Sequence, residues 1–95
     1  MTKGERTRRK IGNSVLRARA AKAVRSWLSR LQVIVEQAQE RGETRPEVDA
    51  KTVATLIVAS LEGALMMSRI QRGDEALRRV QAHLDRYLDK EVAAS

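Results

Sequence analysis

Residues 49–72, DAKTVATLIVASLEGALMMSRIQR, decide the fold. Asp49 reads as a helix N-cap and Gly73 as the residue that stops the helix. No proline interrupts the run. At helical spacing Val53, Ile57, Ser60, Ala64 and Met67 share one face, widened by Leu56, Gly63 and Ile70. Ala54, Val58, Leu61 and Leu65 form a second apolar face. Only Lys51, Thr55, Glu62 and Arg69 make a polar stripe. A helix apolar on nearly every side has to be covered on more than one side. Few residues elsewhere in the chain can do this, so the sequence predicts a second copy of the chain as the partner.

On the N-terminal side, the spacing predicts a helix over residues 15–41. Val24, Trp27, Leu28, Leu31, Ile34, Val35 and Ala38 form its apolar stripe, opposite Arg19, Lys22, Arg25, Glu36 and Glu40. Gly42 ends this helix. Residues 43–48, ETRPEV, are a loop, because Pro46 disfavours helix at Arg45. Val48 before Asp49 can staple onto Val53. On the C-terminal side Asp74 is the expected cap of a helix from Glu75 to about Lys90. Its stripe is Leu77, Val80, Leu84, Tyr87 and Leu88, extending toward Val92, and Glu75 is spaced to pair with Arg78 or Arg79. Ala59 and Gly63 are small residues one turn apart. With Ala64 they favour close approach of another helix, which would justify a glycine that costs about 1 kcal/mol relative to alanine. The expected fold is all-α, a three-helix antiparallel unit that dimerises into a four-helix interface. Gly12-Asn13-Ser14 reads as a break and a helix cap. Residues 1–14 are therefore expected to be a basic flexible arm, 15–92 the helical domain, and 93–95 a tail.

A chain of 95 residues is one small domain. A hydrophobic fraction of 42% rules out disorder by composition. Trp27 and Tyr87 are the only aromatic residues, so the core is aliphatic. Such a core supplies only about 3–5 kcal/mol, which association would supplement. The absence of cysteine removes disulfides and thiolate chemistry and suits a reducing cytoplasm, the expected location. No apolar stretch follows the basic start, so no secretory signal is expected. The central apolar run contains Glu62 and reads as shorter than the ~18 residues of a membrane span, so no membrane partner is expected. Charge is uneven. Residues 1–30 hold ten Lys/Arg and one acid, whereas residues 31–95 hold nine Lys/Arg and eleven acids. A solvated tail and an anion-binding arm fit this basic end equally well.

Catalysis and cofactor binding find no support. His83 is the only histidine, at the edge of the last helix's stripe beside Tyr87, with neither nucleophile nor orienting acid in the local sequence. Metal-ligand spacing and a phosphate-cradling glycine loop are both missing. Glu36 and Glu40 sit on a solvent face. Met66 and Met67 read as core or interface filling before an adaptable ligand site. Glu62 reads as solvent-facing, or as a polar contact to a ligand or across a dimer seam. The hydroxyls of Ser60 and Ser68 can return to backbone carbonyls. Nucleic-acid binding would rest on Arg6, Arg8, Arg9 and Lys10, joined by Arg17, Arg19, Lys22, Arg25 and Arg30. It would be weak, salt-sensitive and independent of sequence, because no helix-turn-helix pair is legible.

GETRPEVDAKTVATLIVASLEGALMMSRIQRGDEALRRVQAHLDRYL resembles the C-terminal regulatory domain of TetR-type bacterial transcription repressors. The resemblance rests on the Gly-x-x-Arg-Pro-x-x-Asp loop (Gly42, Arg45, Pro46, Asp49), on Leu61-Glu62-Gly63-Ala64, and on the final amphipathic helix. It covers roughly residues 24–90. MTKGERTRRKI is similar to the family's N-terminal arm. After Ile11 that similarity stops, and the resemblance implies a regulator without its DNA-binding helices. It also implies a non-enzymatic homodimer, or a heterodimer with a full-length relative, through the last two helices. The interface would comprise Ala59, Gly63, Met66, Met67 and Ile70, with Leu77, Val80, Leu84 and Leu88. The effector ligand stays unassigned.

Overall fold

The computed structural model describes residues 2–94. Three α-helices follow one another: α1 (Lys3–Glu40), α2 (Ala50–Gln71) and α3 (Glu75–Tyr87). A π-helical turn, Leu88–Val92, extends α3. α1 packs against α2, and α2 against α3. The Cα extents are 61 × 28 × 13 Å, so the helices lie in a single layer.

α2 starts as its sequence dictates. The Asp49 carboxylate accepts a hydrogen bond from the Thr52 backbone N–H at 3.2 Å. Val48 packs against the cluster that contains Val53, as a hydrophobic staple requires. The helix stops one residue earlier than expected. Arg72, not Gly73, takes the left-handed conformation, with φ 54°, and its N–H donates to the Ser68 carbonyl. Gly42 does take the left-handed conformation that ends α1, with φ 75°. At 22 residues, α2 also corrects the expectation of a run too short for a membrane span: by length and composition it is long enough.

Two further expectations fail at helix ends. No break occurs at Gly12-Asn13-Ser14; α1 runs through it and starts at Lys3, with Thr2 as its cap. There the Thr2 side chain accepts from the Glu5 N–H, and Glu5 accepts from the Thr2 N–H. Glycine and asparagine weaken a helix by about 1 kcal/mol or less each and remove no backbone donor, so flanking Arg, Lys and Ala residues carry the helix across. Asp74 sits at the start of α3 without a side-chain cap; its carboxylate pairs instead with Arg78 at 3.2 Å. The expected partner of Glu75 is Arg79, at 3.0 Å.

The core gathers at the loop end of the layer. Val35, Ala50, Val53 and Val92 are buried together, with Val48, Ile57, Tyr87 and Leu88 packed against them. The loop and the chain's C-terminal segment close over this cluster. Arg45 N–H donates to the Val92 carbonyl at 2.9 Å, and the Arg45 guanidinium donates to the carbonyls of Lys90 at 2.6 Å and Ala93 at 3.4 Å. The Gln39 amide clamps the loop from α1, donating to the Pro46 and Val48 carbonyls at 3.0 and 2.9 Å. Away from this end the burial thins out. Ala54, Val58, Ala64, Ala76 and Leu84 are buried along α2 and α3, but Ile34 and Trp27 of the expected α1 stripe stay exposed. A single layer gives each helix at most two neighbours, so any side chain pointing out of the layer finds none. The Ser68 hydroxyl is buried without a hydrogen-bond partner among the described residues, contrary to the backbone return expected for it.

Candidate interaction surface

The site expected from the sequence was a dimer seam shared by α2 and α3, and the two helices turn out to differ. Leu56, Ala59, Gly63, Met66 and Ile70 recur at alternating steps of three and four along α2. That is the spacing of a coiled-coil seam. Leu56, Ala59, Met66 and Ile70 are exposed, Ile70 by 74% and Met66 by 59%. Met67, also exposed, borders them. A Cβ built on Gly63 meets no atom within 4 Å, so no close helix approach inside the chain explains this glycine. Leu56 lies on the same ridge. It was legible as part of the wide apolar face but absent from the expected interface set; the three–four spacing is the signal that includes it.

The α3 residues behave otherwise. Leu84 is buried and Leu88 packs against the Val35–Val53–Val92 cluster. Leu77 and Val80 are half-buried. The α3 stripe is therefore largely spent within the chain, which leaves α2 as the main exposed apolar ridge.

A second apolar feature is an open groove of about 470 Å³ lined by Trp27 and Leu31 of α1, Val58, Leu61 and Leu65 of α2, and Leu77 of α3, with Arg30 at its edge. His83, the only histidine, is exposed, and Glu62 is half-buried. Among the described residues no group of three or more His, Asp or Glu side chains is gathered for a metal ion.

The expected anion-contact residues Arg6, Arg8, Arg9 and Lys10 all lie on the N-terminal half of α1, exposed to solvent. They sit on a helix rather than on the flexible arm expected. The ion pairs among the described residues, Arg41–Glu43, Arg78–Asp74 and Arg79–Glu75, all lie elsewhere. In the first of these, the hydrogen bond and charge of Arg41 hold the Glu43 carboxyl below its ordinary range, and Glu43 raises Arg41.

Residues 12–84 match the family described as tetracyclin repressor-like, C-terminal domain. The chain is also similar to a solved TetR transcriptional regulator from Chloroflexus aurantiacus J-10-FL, with 36% sequence identity and a TM-score of 0.77. That similarity covers 85% of this chain and 41% of the other, so the chain spans well under half the length of that relative. No curated protein matches it. The apolar character of α2 is accordingly that of a helix in a regulator domain, and domains of this kind typically dimerise. With most of its length matched to that domain, the chain belongs to the TetR family of transcriptional regulators, a non-enzymatic family, and carries its C-terminal domain.

Proposed function

We propose that this chain acts by association, pairing with a second copy through the exposed ridge of α2. One observation carries the reading: Leu56, Ala59, Gly63, Met66 and Ile70 form a three–four-spaced apolar seam on which Leu56, Ala59, Met66 and Ile70 stay exposed among the described residues. Small residues at Ala59 and Gly63 let a second helix approach closely, and Met66 and Ile70 fill the space beside it. Met67 borders the seam and would widen the contact. The same ridge would accept the matching helix of a longer TetR-type relative, so heterodimer formation, which lowers the pool of the partner's own dimers, is a second consequence of the same surface. Such a role belongs in the cytoplasm, where regulators meet DNA.

Sedimentation equilibrium over a concentration series tests this. The chain is expected to sediment as a dimer. Gly63→Leu is expected to weaken association by about tenfold or more, since a branched side chain at the closest approach forces the helices apart. Because a Cβ at Gly63 meets no described atom within 4 Å beyond its own stretch of helix, the variant keeps its helix content by circular dichroism. A monomer at all concentrations, or a Gly63→Leu variant that associates unchanged, refutes the seam.

A further inference from the structure

The first twenty residues of α1 are the largest part of the fold that association through α2 leaves without a role. Lys3–Lys22 is a helix exposed along its whole length, projecting beyond the layer. It is about 30 Å long at the standard rise. Its cations are Lys3, Arg6, Arg8, Arg9, Lys10, Arg17, Arg19 and Lys22, and its single acid, Glu5, is engaged in the helix cap. No further acid occurs until Glu36. A helix so charged repels itself and gains nothing from the body of the domain.

We infer that this helix is a docking element for double-stranded DNA, lying along or within the major groove and contacting phosphates from several sides. Three features of the helix select this occupant. The first is the angular spread of charge. Arg8, Arg9 and Lys10 are consecutive, so they point 100° apart, and Arg17 and Arg19 again point to different sides. A membrane surface would be met by one cationic edge beside one continuous apolar face. Here Ile11 and Val15 are exposed, but Arg8, Arg19 and Lys22 share their side of the helix. A helix in the major groove has phosphates on both flanks, which suits cations on opposite sides. The second is size. An α-helix about 10–12 Å across fits a major groove about 12 Å wide, whereas the deep, narrow groove of double-stranded RNA excludes it. The third is composition. No aromatic residue occurs before Trp27, so the helix has no platform on which single-stranded bases could stack.

The docking is electrostatic and weakly selective, because contacts to phosphates position a helix on the duplex but carry no sequence information. It does not rest on dimerisation. A dimer would present two such helices and raise the avidity, but one helix suffices for binding.

The test is fluorescence anisotropy of a labelled, mixed-sequence DNA duplex of about 24 base pairs, longer than the helix, titrated with the full chain between about 50 and 200 mM salt. The expected result is binding that weakens steeply and log-linearly with salt. Arg6→Gln, Lys10→Gln and Arg17→Gln combined are expected to flatten that slope by about three units and to weaken binding at low salt by about tenfold or more. These side chains are exposed and absent from every ion pair and core contact described, so the variant keeps the wild-type thermal midpoint. No duplex binding at about 50 mM salt, or binding with an unchanged slope in the triple variant, overturns the inference. Tighter binding to phosphatidylserine vesicles, or to a single strand of the same length, than to the duplex overturns the assignment of the occupant. Gly63→Leu, tested alongside, keeps its duplex contact per chain whether or not the α2 seam forms, which separates the two readings.

Discussion

Asp49 shows how much a single polar side chain settles. Its carboxyl is held below the ordinary carboxylate range, chiefly by the hydrogen bond from the Thr52 hydroxyl and then by the Thr52 backbone N–H. A group whose folded pKa is depressed contributes stability above its unfolded value, and that contribution is lost as pH falls through the lower folded value. Asp49→Asn is therefore expected to lower the thermal midpoint at pH 7. The gap to the wild type should begin to narrow as pH falls below about 4, the ordinary carboxylate value, and close as pH passes through the lower value of the native carboxyl. Thermal melts across that range check this; a gap that stays constant with pH would show that the charge at Asp49 plays no part. This cap was legible because one residue type, at one place before an apolar run, answers a specific backbone need. The role of Arg45 was not. In the sequence it marks a loop token, whereas in the structure its guanidinium reaches carbonyls at Lys90 and Ala93 and ties the loop to the C-terminal segment. Local patterns do not reveal a contact across 45 or more residues. Arg72 was misread for the opposite reason: Gly73 has the freer backbone, but the helix needs its left-handed residue one position earlier.

At the scale of elements, the sequence located all three helices, because each body carries an apolar stripe at a period near 3.6. It failed where no stripe exists. The first half of α1 has no partner to bury, so periodicity says nothing about it, and weak breakers at Gly12-Asn13-Ser14 were read as a stop. Capping at Thr2 and the favourable propensities of Arg, Lys and Ala produce one continuous 38-residue helix instead. Continuity in geometry is not uniformity in stability. Most helix stability in proteins comes from packing, and the first half of α1 has none. Hydrogen exchange is therefore expected to divide α1. Amides of residues 6–20 should exchange by local opening, much faster than those around Leu28–Ala38, which are held by α2 and by the Gln39 clamp on the loop. Equal protection along the helix would mean that its first half is packed against something in solution. The candidate interface divides in a similar way. Its α2 half was readable from spacing, and the structure leaves those residues exposed. Its α3 half was drawn from the same stripe rule, yet Leu84 and Leu88 serve the chain's own core. A stripe shows that a helix face must be covered; it does not show by whom.

For the whole molecule the governing fact is thinness. A layer 13 Å deep in Cα extent has two broad faces and little interior. No large side chain is fully buried among the described residues, and the buried set is dominated by alanine and valine. Stable domains are ordinarily built from at least two packed layers. Here the second layer is missing on the side of the Leu56–Ile70 ridge and on the side of the Trp27–Leu65 groove. Either face can be covered by another chain, but only the ridge has the spacing, the small residues and the straight run for helix pairing. If a second copy supplies that layer, folding and association are linked, and the stability of the chain depends on its own concentration. The thermal midpoint is then expected to rise with protein concentration over a range that spans the dimer dissociation constant. Gly63→Leu should abolish that rise while leaving the low-concentration midpoint in place or slightly higher, since replacing a mid-helix glycine relieves up to about 1 kcal/mol of propensity cost. A midpoint independent of concentration in the wild type would mean that this thin layer is stable alone, and that the ridge on α2 is kept apolar for a partner other than itself.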